Sequence, residues 1–342
     1  MVIEDMALAL SVVGNENGTI AELEVVLKSV LLNAPRQRRI RVFILGDTFG
    51  SVAARRVLDE QAHLNDVPWH TDVEISVQDV QEHFSQWQRV LTSATGSRSS
   101  HSRPARASDG HPGDGFHHTF GTYLKMFLHE ALPATVHHAL FLDLDCVVLT
   151  DLEALWQQRN PSYMFQWAPN NNSGVLLLNL PWMRQFLSLA SAGLRAGLQR
   201  GDPTVRKAQA RRLEQPIWKW AMEAAPMLVG TISQDWNIAV ADSFWRAGHR
   251  LPQVMPNASC LHFNGGGNDR GSWFETSAFA HRNGWRVALY YVDLPWAWLR
   301  SFGRSASPFR ATGADARESM SFQKNRQIKY GPGDERDKAR GR

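Results

Sequence analysis

The chain has 342 residues, of which 43% are hydrophobic, enough for one large α/β core or two smaller ones, so wholesale disorder is excluded. Its charge of +4 comes from basic runs at 98–106, 200–212 and beyond Arg300 with no base-stacking motif interleaved, which argues against nucleic acid and for an anionic nucleotide. Cys146 and Cys260 are the only cysteines, so a disulfide framework is excluded, one bridge stays open, and small buried residues are the favoured reading. Ala7 to Val13 then reads as a buried strand, the turn Gly14 to Gly18 breaks it, and Ile20 to Leu32 carries apolar residues at helical spacing. Ile40 to Leu45 is a second strand, Val52 to His63 a helix and Val73 to Val77 a third strand. Strand, Gly-containing turn, helix and strand make the βαβ unit that receives a nucleotide at the carboxyl ends of its strands, although the turn is not a G-x-G-x-x-G. Residues 92–115 are rich in Ser, Arg, Gly, Pro and His and predict a flexible insertion. Its histidines, His101, His111, His117 and His118, fit no ligand spacing and read as solvated.

Tyr123 to Pro133 predicts a short helix leading into Ala-Leu-Phe-Leu-Asp-Leu-Asp-Cys-Val-Val-Leu at 139–149. Read as one strand, this run puts Asp143 and Asp145 on one face and Leu142, Leu144 and Cys146 on the other. Buried unpaired carboxylates cost several kcal/mol each, roughly, so this strand is expected to end at a cleft holding a cation. The plainer alternative is that one Asp caps a turn and the other pairs with a base. Farther on, Val175 to Leu180 predicts a core strand, Trp182 to Leu198 and Glu214 to Ala224 helices, Met227 to Ile232 an extended segment, and the Gln234 segment a short helix. Gly265-Gly266-Gly267 either lets backbone N–H groups approach phosphate oxygens or forms a plain hinge. The thirteen Trp residues suit sugar stacking and core packing equally.

Four blocks occur in order: Asp143-Leu144-Asp145, Asn172-Ser173-Gly174-Val175, Gln234-Asp235-Trp236-Asn237 and His262-Phe263-Asn264-Gly265. They resemble the family 8 glycosyltransferases, most closely the xylosyltransferase domain of the dystroglycan-modifying bifunctional enzyme and the glucoside xylosyltransferases. The resemblance covers roughly residues 5 to 290. It implies an α/β fold of the GT-A, Rossmann-like type: a mixed, mainly parallel central sheet flanked by helices in a single catalytic domain at 1–300. The nucleotide-binding half would span about 5–150 and the acceptor-side half about 151–300, with a basic, disordered tail at 301–342.

What the resemblance implies about the site follows residue by residue. Asp145, Asp143 and His262 would bind Mn²⁺ or Mg²⁺, hard ions that accept carboxylate and phosphate oxygens, Mn²⁺ also tolerating imidazole. Val13, Gly14, Asn15, Lys125, Leu144, Asn172, Ser173, Gly265 and Arg270 would contact a UDP-sugar donor. Asn172 and Gln234 would border the reacting carbon, and Asp235 would hold sugar hydroxyls. The implied activity is metal-dependent, retaining transfer from a UDP-sugar, xylose ahead of glucose or galactose, to a glycan or glycoprotein acceptor. The chain departs from the family at two places: Ser233 stands where the first acid of Asp-Gln-Asp belongs, with one residue fewer before Asn237, and Arg270 lies near where a diphosphate-binding Lys belongs. A UDP-sugar-binding or interaction protein without turnover is therefore a second expectation, and a metal-dependent phosphohydrolase a third. Relatives sit in the Golgi or elsewhere in the secretory pathway behind an N-terminal anchor. Met1 to Val13 lacks the basic region and long apolar core of a signal or anchor, and no stretch approaches the roughly 20 apolar residues of a membrane span.

Overall fold

Met6–Val12 carries apolar side chains at successive positions, the pattern of a strand covered on both faces, and forms the central strand β1. The computed structural model describes residues 4–14, 17–35, 37–59, 72–83, 124–169, 172–185, 218, 222–223, 225–239 and 258–263. From β1 the chain runs through α1 (Asn17–Leu32), β2 (Ile40–Gly46), α2 (Thr48–Asp59) and β3 (Val73–Asp79). A 3-10 turn (Lys125–Phe127) and α3 (Leu128–Ala131) lead into β4 (His138–Leu142), followed by β5 (Cys146–Val148), α4 (Glu153–Trp156), β6 (Phe165–Trp167) and β7 (Val175–Asn179). After a 3-10 turn (Pro226–Leu228) come β8 (Val229–Thr231), a second 3-10 turn (Gln234–Trp236), β9 (Ile238–Ala239) and β10 (Cys260–His262).

The central sheet has seven strands in the order β3-β2-β1-β4-β7-β6-β8, and a second sheet has the order β5-β10-β9. β1 is parallel to β2 and β4, β2 to β3, and β6 to β8, whereas β7 is antiparallel to β4 and β6. This is the mixed, mainly parallel sheet that the family resemblance implies. The chain leaves β1 toward β2 and β3 and returns on its other side as β4. Beyond the carboxyl ends of β1 and β4 the strand order therefore reverses, the place where open α/β sheets bind ligands. Leu10 lies beside Leu142 in the β1–β4 register, so Val13-Gly14 and Asp143-Leu144-Asp145 emerge next to each other at that edge.

Each face of the sheet has its own core. Leu8, Leu10, Ile44, Leu140, Leu142 and Leu177 pack with Val26, Val30 and Leu31 of α1 on one side. Ala9, Phe43, Phe141, Leu176 and Leu178 pack with Leu124, Phe127, Leu128 and Trp218 on the other. β5 is clasped by α1 and the residue that follows it: Val148 N donates to Ser29 Oγ at 3.1 Å and Asn33 Nδ2 donates to Val148 O at 3.0 Å. The second sheet is thereby held against the first core. Among the described residues no helix is long and apolar enough to cross a membrane.

Two sequence expectations need correcting. Helix α2 starts at Thr48, not Val52, because Asp47 caps it: its Oδ1 accepts from Gly50 N at 2.6 Å and its carbonyl accepts the first helical bond, from Ser51 N, at 2.8 Å. The run 139–149 is not one strand. β4 stops at Leu142, Asp143 to Asp145 form a turn closed by Cys146 N donating to Asp143 O at 3.1 Å, and the chain resumes as β5 in the other sheet. The two carboxylates thus occupy a turn at the sheet edge rather than one face of a strand, and each keeps 26% of its side-chain surface exposed, which spares the full cost of burial. The insertion at 92–115, the tail at 301–342 and most of the helix expected at 214–224 lie outside the described residues.

Candidate metal centre

The site begins where β4 ends. Phe141 and Asp143 lie on the same side of the chain, the side covered by the Lys125 segment. Lys125 is fully buried, its ammonium 4.9 Å from the centroid of the Phe141 ring. It donates to Asp143 Oδ1 and Oδ2 at 2.9 and 3.2 Å, and to Ser173 O and Oγ, both at 3.2 Å. These acceptors satisfy its three protons, as a buried ammonium requires. Lys125→Met should leave the Asp143 carboxylate without its cation. We expect a loss of about 2–3 kcal/mol in urea unfolding, at the low end for breaking a buried pair because Asp143 keeps some exposure; an unchanged midpoint would show that the pair contributes nothing.

Asp145 faces the other way, toward β10. His262 is the last residue of β10, lies opposite Cys146 in the antiparallel register and is buried. Phe263 N donates to Asp145 O at 2.9 Å, pinning the end of β10 to the Asp turn. His262 Nε2 sits 3.1 Å from Asp145 Oδ1 and 3.8 Å from Asp143 Oδ2. Its other nitrogen, Nδ1, lies 3.0 Å from Asn237 Oδ1. Asn237 Nδ2 donates to Asn172 O at 2.9 Å. A carbonyl only accepts, so the orientation of this amide is fixed and its oxygen must receive the proton from Nδ1. The neutral imidazole therefore presents a bare Nε2 lone pair to a carboxylate.

Two acceptors facing each other at 3.1 Å need a proton or a cation between them. Burial alone would lower the His262 pKa, but the charges of Asp145 and, behind it, Asp143 outweigh this and raise it to about 10. For Asp145, burial acts upward, while the His262 charge and hydrogen bond, with Lys125 nearby, hold its carboxyl below the usual range. The same donor set fits a divalent ion: neighbouring ligands on an octahedral ion with bonds near 2.1 Å lie about 3 Å apart, the spacing found between Nε2 and Oδ1. Asp145 and His262 would hold such an ion. Asp143 stands at its margin, with both oxygens already engaged by Lys125.

Gly174 explains the glycine of the Asn-Ser-Gly-Val block. A methyl group built there would lie 2.6 Å from His262 Nε2 and closer still to Cε1 and Nδ1, so the imidazole is seated against a bare Cα. The backbone around it is fixed: Gly174 N donates to Asn172 Oδ1 at 2.8 Å, and Asp143 N donates to Gly174 O at 2.8 Å. Asn172, Ser173 and Gly174 thus tie the start of β7 to the Asp turn, to Lys125 and to the histidine.

The remaining expected contacts are distributed around this centre. Gly14 has φ +79°, a left-handed conformation suited to glycine, and its N–H donates to the buried Asp47 carboxylate at 3.1 and 3.2 Å. Val13 packs against the core beneath it, and Leu144 packs on the opposite core. Gln234 and Asp235 lie in the 3-10 turn before Asn237. Ser233 caps that turn, its Oγ accepting from Asp235 N at 3.4 Å and lying 3.2 Å from Asp235 Oδ2, while Ser259 N donates to Asp235 O at 2.8 Å. Asn15, Gly265 and Arg270 fall outside the described residues. Three residues of the site were not singled out from the sequence: Asn237, Gly174 and Asp47. The first two belong to the recognised blocks, and Asp47 was visible as an Asp three residues before a glycine at a helix start.

No family model matches the chain, and no curated protein matches it. Solved structures do. Mouse xyloside xylosyltransferase 1 in its apo form aligns with TM-score 0.52 and 16% identity, over 76% of this chain and 98% of that one. The apo glycosyltransferase GlyE of Streptococcus pneumoniae TIGR4 aligns with TM-score 0.52 and 12% identity, over 87% of this chain and 62% of that one. At these identities the likeness concerns the fold, which is that of the GT-A glycosyltransferases.

Proposed function

We propose that this GT-A-fold chain is a metal-dependent, retaining glycosyltransferase that moves a sugar from a UDP-sugar to a hydroxyl of a glycan or glycoprotein, with xylose favoured over glucose and galactose. One observation carries the reading: Asp145 Oδ1 and His262 Nε2 converge at 3.1 Å beyond the carboxyl ends of β1 and β4, an arrangement that a divalent cation satisfies once it displaces the shared proton. The order of the four sequence blocks supplies the nucleotide and the transfer. A bound Mn²⁺ or Mg²⁺ would stabilise the negative charge of the departing diphosphate.

The chain's own residues would do the rest. Asn237 holds His262 in the tautomer that can ligate, a supporting role common behind metal-bound histidines. Lys125 neutralises and orients Asp143 by donating to both of its carboxylate oxygens. Asp47 holds the Gly14 turn, so that Val13 and Gly14 present a fixed backbone to the base. In the transfer itself Gln234 and Asn172 would border the anomeric carbon and Asp235 would bind sugar hydroxyls. The acceptor hydroxyl would attack the same face that the diphosphate leaves and pass its proton to a diphosphate oxygen, a route that needs no strong protein nucleophile.

The proposal is tested by incubating the protein with UDP-xylose, UDP-glucose and UDP-galactose, with and without Mn²⁺, and measuring UDP release. Metal-dependent release with one donor supports transfer. UDP binding without release from any donor favours the second reading, a binding protein, to which Ser233 lends weight by serving as a cap instead of supplying an acid. Metal entry must also expel the proton that His262 holds up to about pH 10. Mn²⁺ affinity should therefore rise by nearly tenfold per pH unit, about one proton released per ion, between pH 6.5 and 8. Calorimetry in buffers of different ionisation enthalpy measures that proton, and a flat affinity over this range would remove His262 from the ligand set.

A further inference from the structure

The register of the small sheet places a third donor beside the two just described. Cys146 and His262 are direct cross-strand partners in the antiparallel β5–β10 pair, and such partners project on the same face of a sheet. Ligand atoms of Asp145, Cys146 and His262 all lie within 4.8 Å of one another. Cys146 is 0% exposed and His262 3%, so water does not compete for the space between them. The Cys146 thiol is held only weakly: it donates to Gly174 O at 3.5 Å. Both cysteines are free.

We propose that Cys146 turns this centre into a selective site for thiophilic divalent ions, Zn²⁺ foremost, bound by the Cys146 thiolate, the Asp145 carboxylate and His262 Nε2, in competition with Mn²⁺. The inference rests on the reading that Asp145 and His262 bind a metal, and adds to it the sulfur and the selectivity that follows. Sulfur is a soft ligand that favours Zn²⁺ over Mn²⁺, and three protein donors with an open fourth position suit tetrahedral Zn²⁺. Tetrahedral sulfur and nitrogen ligands on zinc lie about 3.5 Å apart, so a small side-chain rotation of Cys146 closes the site. Binding forms the Zn–S, Zn–N and Zn–O bonds and releases to the buffer the thiol proton and the proton shared by His262 and Asp145. The carboxylate and thiolate together cancel the charge of the ion. Zinc held in this way attracts a diphosphate less than Mn²⁺ bound without the sulfur, so Zn²⁺ acts as an inhibitor of UDP binding.

Co²⁺ serves as the optical probe. The full-length protein titrated with Co²⁺ should develop the near-ultraviolet sulfur-to-cobalt charge-transfer band, and Zn²⁺ should bleach it. Cys146→Ser and Cys146→Ala should lose the band and bind Zn²⁺ about 100-fold more weakly, the order by which losing a metal-supporting group lowers affinity. Mn²⁺ affinity should change little in either variant, and Cys260→Ser should keep the band. A wild-type protein that binds Mn²⁺ and Co²⁺ without the band overturns the sulfur ligand and leaves the underlying metal reading intact. A protein that binds no divalent ion overturns both. A band lost in Cys260→Ser but kept in the Cys146 variants overturns the assignment to Cys146, and equal losses of Mn²⁺ and Zn²⁺ affinity in the Cys146 variants reduce Cys146 to a packing residue. The wild-type spectrum decides the matter even if a Cys146 variant does not fold.

Discussion

Asp145→Asn is expected to abolish Mn²⁺-supported binding of UDP while leaving the protein folded. The substitution removes the charge that faces His262 Nε2 at 3.1 Å, and with it the Coulombic attraction that gathers a cation there. Affinity for Mn²⁺ should fall by at least about 100-fold, and UDP should bind the variant equally with and without the ion. The fold should survive at some cost. At pH 8 His262 still holds the proton it shares with Asp145, so the variant exchanges a buried charge-assisted hydrogen bond for a neutral one from the Asn amide to Nε2. The thermal midpoint of the metal-free variant should fall below that of wild type while the melt stays cooperative. Calorimetry with UDP and Mn²⁺ beside a thermal melt separates the two effects. Undiminished Mn²⁺ dependence in the variant would remove Asp145 from the site.

Gly174→Ala carries the second large effect, through packing alone. The added methyl enters the space of the His262 ring, 2.6 Å from Nε2, and both neighbours are buried. Asp143 N is hydrogen-bonded to Gly174 O, and Gly174 N to Asn172 Oδ1, so the backbone has little room to withdraw and the imidazole must swing out. Overpacking of this kind costs about 1–3 kcal/mol, and the displaced ring leaves both Asn237 and Asp145. Metal-supported UDP binding should be lost together with stability. Adding His262→Ala to Gly174→Ala should recover most of the stability and none of the metal binding, because the two residues are in contact and their effects are not additive. Full stability in the single variant would show that the ring does not rest on Gly174.

The fold was legible wherever burial dictates a long, simple pattern. β1, β2, β4 and β7 are covered on both faces and read as mainly apolar runs, interrupted inside only at Ser11 and Arg41, and α1 shows helical spacing from Ile20 to Leu32. The chemistry-bearing pair Asp143 and Asp145 was also legible, but its conformation was not. Alternate acids inside an apolar run look like one face of a strand, and nothing local announces that Cys146 N turns back to Asp143 O. The small sheet was invisible for a related reason: β5 and β10 have three residues each and β9 two, too few to display any period.

The parts of the site missed by sequence reasoning are those defined by contacts between distant segments. Gly174 matters because His262 rests on it, and Asn237 because it links Asn172 O to His262 Nδ1. No local propensity encodes either contact. Ser233 illustrates the converse: as a departure from the family pattern it reads as a loss, whereas in the structure it caps the turn that carries Gln234 and Asp235.

The account depends on one cation shared by two side chains, and anomalous scattering from crystals grown with Mn²⁺ and UDP addresses it most directly. The expected map has a manganese peak about 2.2 Å from both an Asp145 oxygen and His262 Nε2, with Asn237 still hydrogen-bonded to Nδ1. UDP bound at the β1–β4 edge with His262 Nε2 still paired directly to Asp145, and manganese absent or ligated elsewhere, would contradict it.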